Sequence, residues 1–163
     1  MDAFIVTWLK STALSHLVLT TPWLWPVCEM LHFVGVALVI GIAGLFDLRL
    51  MGYMKHVPVA AVMQLRPWAG AGVLINLVTG VVFFVAAPEQ YIRNVSWWAK
   101  VFFLLVATAN IVFFETRYGR KLLTMPAGID TPASFKIAGI VSIVSWLAVL
   151  YFGRMLPFLG DAF

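Results

Sequence analysis

Charge is scarce in this sequence: 11% of its 163 residues are Asp, Glu, Lys or Arg, while 63% are hydrophobic. Soluble domains are about half apolar and about a quarter charged. A soluble fold of this length has too small an interior to hide so much apolar surface. Cysteine occurs once, as Cys28, which excludes an internal disulfide, and there is no Cys-x-x-Cys pair. Histidine occurs three times, as His16, His32 and His56. The opening MDAFIVTWLK lacks the basic n-region of a cleaved signal peptide, so the apolar segments are expected to be retained. No phosphate-binding loop, nucleophile elbow or zinc-binding pattern is found. The net charge of +4 comes from Lys and Arg placed between apolar runs. They read as topology signals, and no nucleic-acid partner is expected.

What is present is apolar length. A hydrocarbon layer about 30 Å thick takes roughly 20 apolar residues in a helix, and four stretches supply them. They run over about 25–46, 68–87, 97–114 and 137–156, and include LHFVGVALVIGIAGLF and WAGAGVLINLVTGVVFFVAA. In lipid each must satisfy its own backbone, so each is expected to be helical. Pro58, Pro67, Pro88, Pro126 and Pro132 fall in the connections. The expected fold class is all-α: one integral membrane domain over 1–163, built as a four-helix bundle. Residues 3–20 are apolar but interrupted by Lys10, Ser11, Ser15 and His16, with Pro22 and Pro26 close behind. They read as a helix lying in the membrane interface rather than as a fifth span.

Orientation follows from the basic residues. Side A is where the first span begins; side B is the opposite face. Side B holds seven of the eleven: Arg49, Lys55, Arg66, Arg117, Arg120, Lys121 and Lys136. Side A holds Lys10, Arg93, Lys100 and Arg154. The excess marks side B as cytoplasmic, with both termini outside. Trp23, Trp25, Tyr91, Trp97 and Trp98 form an aromatic belt on side A. Gly72, Asn76 and Gly80 repeat along the second span, and Ala37, Gly41 and Gly44 along the first. Such small-residue faces suit close helix contacts, within the chain or between copies in a homo-oligomer.

Ionisable residues inside a membrane mark partners or cavities. Glu29 and His32 are three apart and share a helix face. Lys100 in the third span and Arg154 in the fourth lie at the same depth. One reading is structural: an ion pair of Glu29 with Lys100 or Arg154, beside a hydrogen-bonded His32. The other is a cofactor site. A neutral imidazole ligates haem iron, Gly35 would leave room for a flat macrocycle, and Lys100 and Arg154 suit its propionates. A quinone would use the same groups, with His32 as hydrogen-bond partner and Glu29 as its orienting or proton-accepting neighbour. His32 is the candidate metal ligand. On side B, Asp47 and Glu115 are expected to pair with Arg49, Arg117 or Arg120. Asn76 and Asn110 lie near the midplane and are placed to pair.

The residues WLWPVCEMLHFVGVALVIG and FDLRLMG resemble a widespread, largely uncharacterised family of small four-span bacterial inner-membrane proteins. The pattern is W-L-W-P-x-x-E-x-x-H, met here by Trp23 to Pro26, Glu29 and His32. D-L-R-L-x-G follows at Asp47 to Gly52, then Pro67–Trp68, Thr79–Gly80 with Phe84, Asn110, and Gly153–Arg154. The resemblance covers nearly the whole chain. It implies a bundle broadly similar to four-helix cytochromes b and to copper-resistance membrane proteins. Members often carry His five residues after the third-span Asn, where this chain has Glu115. The function expected is a membrane electron-transfer or anchor subunit, working with a redox partner and holding a b-type haem or a quinone near the outer face. The alternatives are a cofactor-free structural or assembly protein, and a small transporter or channel protomer.

Overall fold

The computed structural model describes residues 2–126 and 128–159, and all regular structure among them is helical. The order is α1 (Asp2–Lys10), α2 (Ala13–Thr20), α3 (Leu24–Met51), α4 (Val59–Met63), α5 (Arg66–Ala86), α6 (Glu89–Ile92), α7 (Val95–Leu123) and α8 (Ala133–Met155). Four units are long and apolar enough to cross a bilayer: α3, α4 with α5, α7, and α8. Large apolar side chains such as Phe33, Leu74, Leu105 and Leu147 stay exposed along them. The exposed surface is 10084 Å², against about 8,100 Å² for a soluble monomer of this size. The uncovered part is apolar, and lipid is the medium that covers it.

Helix ends follow local chemistry. Pro26 and Pro67 fall in the first turns of α3 and α5, where the missing N–H had no helical partner anyway. Asn94 caps α7, its side chain accepting from Ser96 N at 2.9 Å. α3 ends at Gly52, whose φ of 90° is open to glycine and strained for other residues. There Gly52 N–H donates to Arg49 O at 3.2 Å and Tyr53 N–H to Leu48 O at 3.1 Å, closing a Schellman turn. α7 is about 44 Å long, so its last turns, carrying Arg120 and Lys121, project beyond the hydrocarbon on side B.

α3 is the central helix, packed against α5 on one side and α8 on the other, with α7 laid on α8. Gly35 and Gly72 bring α3 and α5 together. A Cβ on Gly35 would fall 2.9 Å from Gly72 O, and one on Gly72 would fall 2.8 Å from Gly35 O. The contact therefore uses Gly35 and not the expected Ala37, Gly41 and Gly44 face. Gly41 and Gly44 meet nothing within 4 Å, and neither does Gly80 on α5. Across the bundle, α5 and α7 are joined at their ends. Arg66 pairs with Glu115 on side B, and Phe84 stacks on Trp97 at 5.4 Å on side A.

The N-terminal segment is two helices rather than one. α1 and α2 meet at a 68° bend, set by Ser11 and by the Thr12 side chain, which caps α2 by accepting from Ser15 N at 3.3 Å. Each is too short to span a bilayer. Both pack against α5, and Lys10 ties them to Glu89 at 2.6 Å.

Candidate functional site

His32 sits where α3 faces α5 near side A. Its Nδ1 lies 2.7 Å from Thr79 Oγ1, and its ring meets Phe83 edge-on at 5.7 Å. Thr79 is almost fully buried, and its hydroxyl also lies 2.7 Å from Ile75 O. A hydroxyl has one proton to give. Donated to the Ile75 carbonyl, it leaves an oxygen that can only accept from His32. In that arrangement Nδ1 carries the imidazole proton and Nε2 keeps its lone pair; with the hydroxyl turned to donate to Nδ1, the proton sits on Nε2.

Lys100 approaches from α7 closely enough to act electrostatically on His32. Its side chain runs over Gly153 of α8, with Nζ 3.8 Å from where a Cβ would stand. The missing side chain at Gly153 is what makes room for the lysine. Among the described residues Lys100 has no carboxylate within ion-pair distance. An ammonium in a span with no counter-charge is the least compensated group at this end of the bundle.

The structure does not gather all four expected residues. Glu29 is exposed and accepts from Trp25 Nε1 at 3.1 Å; it makes no ion pair with Lys100 or Arg154. It lies near Tyr91 in α6. Burial first, and then the Glu29 charge, push the Tyr91 phenol up to about 12. Arg154 is exposed, with its guanidinium over the Phe158 ring at 5.5 Å. It follows Gly153 by one residue, about 100° around the helix, so with Gly153 facing Lys100 it is turned away. The site is thus His32, Thr79 and Lys100, walled by Phe83 and by Trp25, whose ring lies 4.9 Å from Phe83. Phe84, Tyr91 and Trp97 pack on one another at the side-A ends of α5 and α7.

The space beside Gly35 is occupied: a Cβ there would meet Asn76 Nδ2 at 2.8 Å, so no macrocycle seats on that face. The other histidines, His16 and His56, are exposed on α2 and in the α3–α4 connection. Asn76 and Asn110 do not pair either, because Asn110 Nδ2 donates to Ala138 O at 3.0 Å.

Side B also differs from expectation. Glu115 pairs with Arg66 of α5 and not with an arginine of its own helix. Asp47 is buried, 3% exposed, beside Ser142 of α8, and makes no ion pair among the described residues. Arg49 is 1% exposed; its Nε donates to Val57 O at 2.8 Å, while Nη1 and Nη2 find no protein acceptor. Two residues apart, Asp47 and Arg49 point about 200° apart around α3, which keeps them from pairing. Among the described residues no group of three His, Cys, Asp or Glu side chains is placed to hold a metal ion.

No curated protein and no solved structure matches the chain. A family model matches residues 7–159, almost the whole length: the chain belongs to a family of unknown function, DUF6644.

Proposed function

We propose that this protein is a membrane anchor or electron-transfer subunit that holds a quinone head group at the side-A end of the bundle. It works in a bacterial inner membrane, with side A facing outward. The observation that carries the reading is the 2.7 Å contact of His32 Nδ1 with Thr79 Oγ1; with Thr79 donating to Ile75 O, that contact takes the Nδ1 proton. That leaves Nε2 as an acceptor for a quinol O–H, and Lys100 as a donor to the second ring oxygen. A quinone offers two oxygens on a flat apolar ring, which matches one acceptor, one cation and the Phe83–Trp25 wall. A quinol gives up two protons and two electrons on becoming a quinone, and the electrons would go to the redox partner subunit. The chain's part is to orient the ring, with Nε2 accepting a hydrogen bond from the quinol O–H and Lys100 donating to the second oxygen. The tail would leave between α5 and α7, which form no extended contact between their ends.

The test is binding of decyl-ubiquinone to protein in nanodiscs, after a visible spectrum of material purified from its native membrane. Saturable binding is expected, weakened at least about tenfold in His32→Ala and in Lys100→Met, and unchanged in His56→Ala. Unaltered affinity in folded His32→Ala protein would overturn the reading. A Soret band with sharp reduced bands, lost in His32→Ala, would replace the quinone with a b-type haem.

A further inference from the structure

Side B carries a second, independent site. A cleft of about 240 Å³ lies between the start of α5 and the last turns of α7. Arg66, Glu115 and Arg120 form its charged rim; Phe46, Met63 and Phe114 line it with apolar surface. The apolar part continues into the packed cluster of Leu50, Phe114 and Phe135. Glu115 is engaged by Arg66. Arg120 has no carboxylate within ion-pair distance among the described residues, and neither do Arg117 and Lys121 beside it. The rim therefore has two arginines against one glutamate. It sits at the C-terminal end of α7, whose negative dipole end holds Arg120 and Lys121 there and offsets part of their charge. Gly119 lines the cleft, and a Cβ there would meet nothing within 4 Å.

We propose that this cleft binds an anionic phospholipid, with its phosphate at Arg120 and Arg66 and the start of an acyl chain against Phe46 and Phe114. The pairing of a cationic rim with an apolar floor selects a molecule that is anionic at one end and hydrocarbon below. The leaflet facing the basic side of a membrane protein is rich in such molecules. Free phosphate satisfies the rim alone and leaves the floor uncovered. Glu115 tunes the site by neutralising Arg66, so the affinity rests mainly on Arg120.

The experiment is native mass spectrometry of the protein released from nanodiscs of phosphatidylcholine and phosphatidylglycerol in equal parts. Preferential retention of phosphatidylglycerol is expected. Arg120→Gln should lower it roughly fivefold. Gly119→Leu should lower it as well, by filling open space without touching a charge. Glu115→Gln should raise it, because Arg66 is freed. Lys55→Gln, outside the cleft, should leave it unchanged. Thermal unfolding of each variant separates lost binding from lost fold. Equal retention of both lipids, or retention unaffected by Gly119→Leu in folded protein, would overturn the proposal. So would full displacement by inorganic phosphate, which would make the site one for the free anion.

Discussion

A single hydroxyl proton decides the state of His32, so Thr79 is the most sensitive neighbour of the site. Thr79→Val keeps the shape but leaves the half-buried Nδ1 without its hydrogen-bond partner, at a cost of about 1–3 kcal/mol. Thr79→Ser should restore most of it, and thermal unfolding in detergent measures both; equal stability of all three proteins would mean that the bond is not held. Tyr91 gives a second residue-scale expectation. Its phenol is raised from 10.0 to about 12 in the folded state. Below pH 10 the folded and unfolded phenols are both neutral, and stability is unaffected. As pH rises from 10 through about 12, the unfolded state ionises first and stability falls. A tyrosinate absorbance titration should show this residue late, and Glu29→Gln should bring it somewhat earlier. The site was half legible in the sequence. His32 and Lys100 stood out because charge is rare in a span. Thr79 did not, since an isolated Thr in an apolar run carries no signal. Arg154 misled because depth was read and helix angle was not: Gly153, one residue before, is the position that faces Lys100.

Among the elements, the spans were legible because apolar length is the strongest demand a bilayer makes. Their ends were less so. α3 runs on to Met51 and α7 to Leu123, because a helix leaving the membrane can continue in water with polar side chains. The N-terminal segment was placed as one helix, but Ser11 and the Thr12 cap divide it. The helix contacts were legible in kind and not in position. Small residues do bring α3 and α5 together, but through Gly35 and Gly72. Gly35→Val should therefore cost about 1–3 kcal/mol, since its methyls must displace Asn76 and Gly72. Gly41→Val meets open space and should stay within about 0.5 kcal/mol. Unfolding of the two variants in detergent, compared side by side, checks which glycine carries the contact; equal costs would contradict this packing.

At the scale of the whole molecule, the bundle has two polar ends and an apolar middle. The spans cross the centre without a break, since the one interruption, between α4 and α5, lies at side B. The side-A end holds His32, Thr79 and Lys100, and the side-B end holds the Arg66–Glu115–Arg120 cleft. Orientation can be checked in a Cys28→Ala background, Cys28 being the one native thiol and buried. A membrane-impermeant thiol reagent applied to intact cells should label Gln90→Cys and spare Lys55→Cys until the membrane is opened. The central claim is that a quinone head sits against His32 and Lys100. Its most direct test is photolabelling of the reconstituted protein with a photoreactive quinone analogue, followed by mapping of the modified peptides. The account predicts label on α3 near His32 and on α7 near Lys100, competed away by decyl-ubiquinone and lost in Lys100→Met. Label confined to lipid-facing residues, or insensitive to competition, would contradict it.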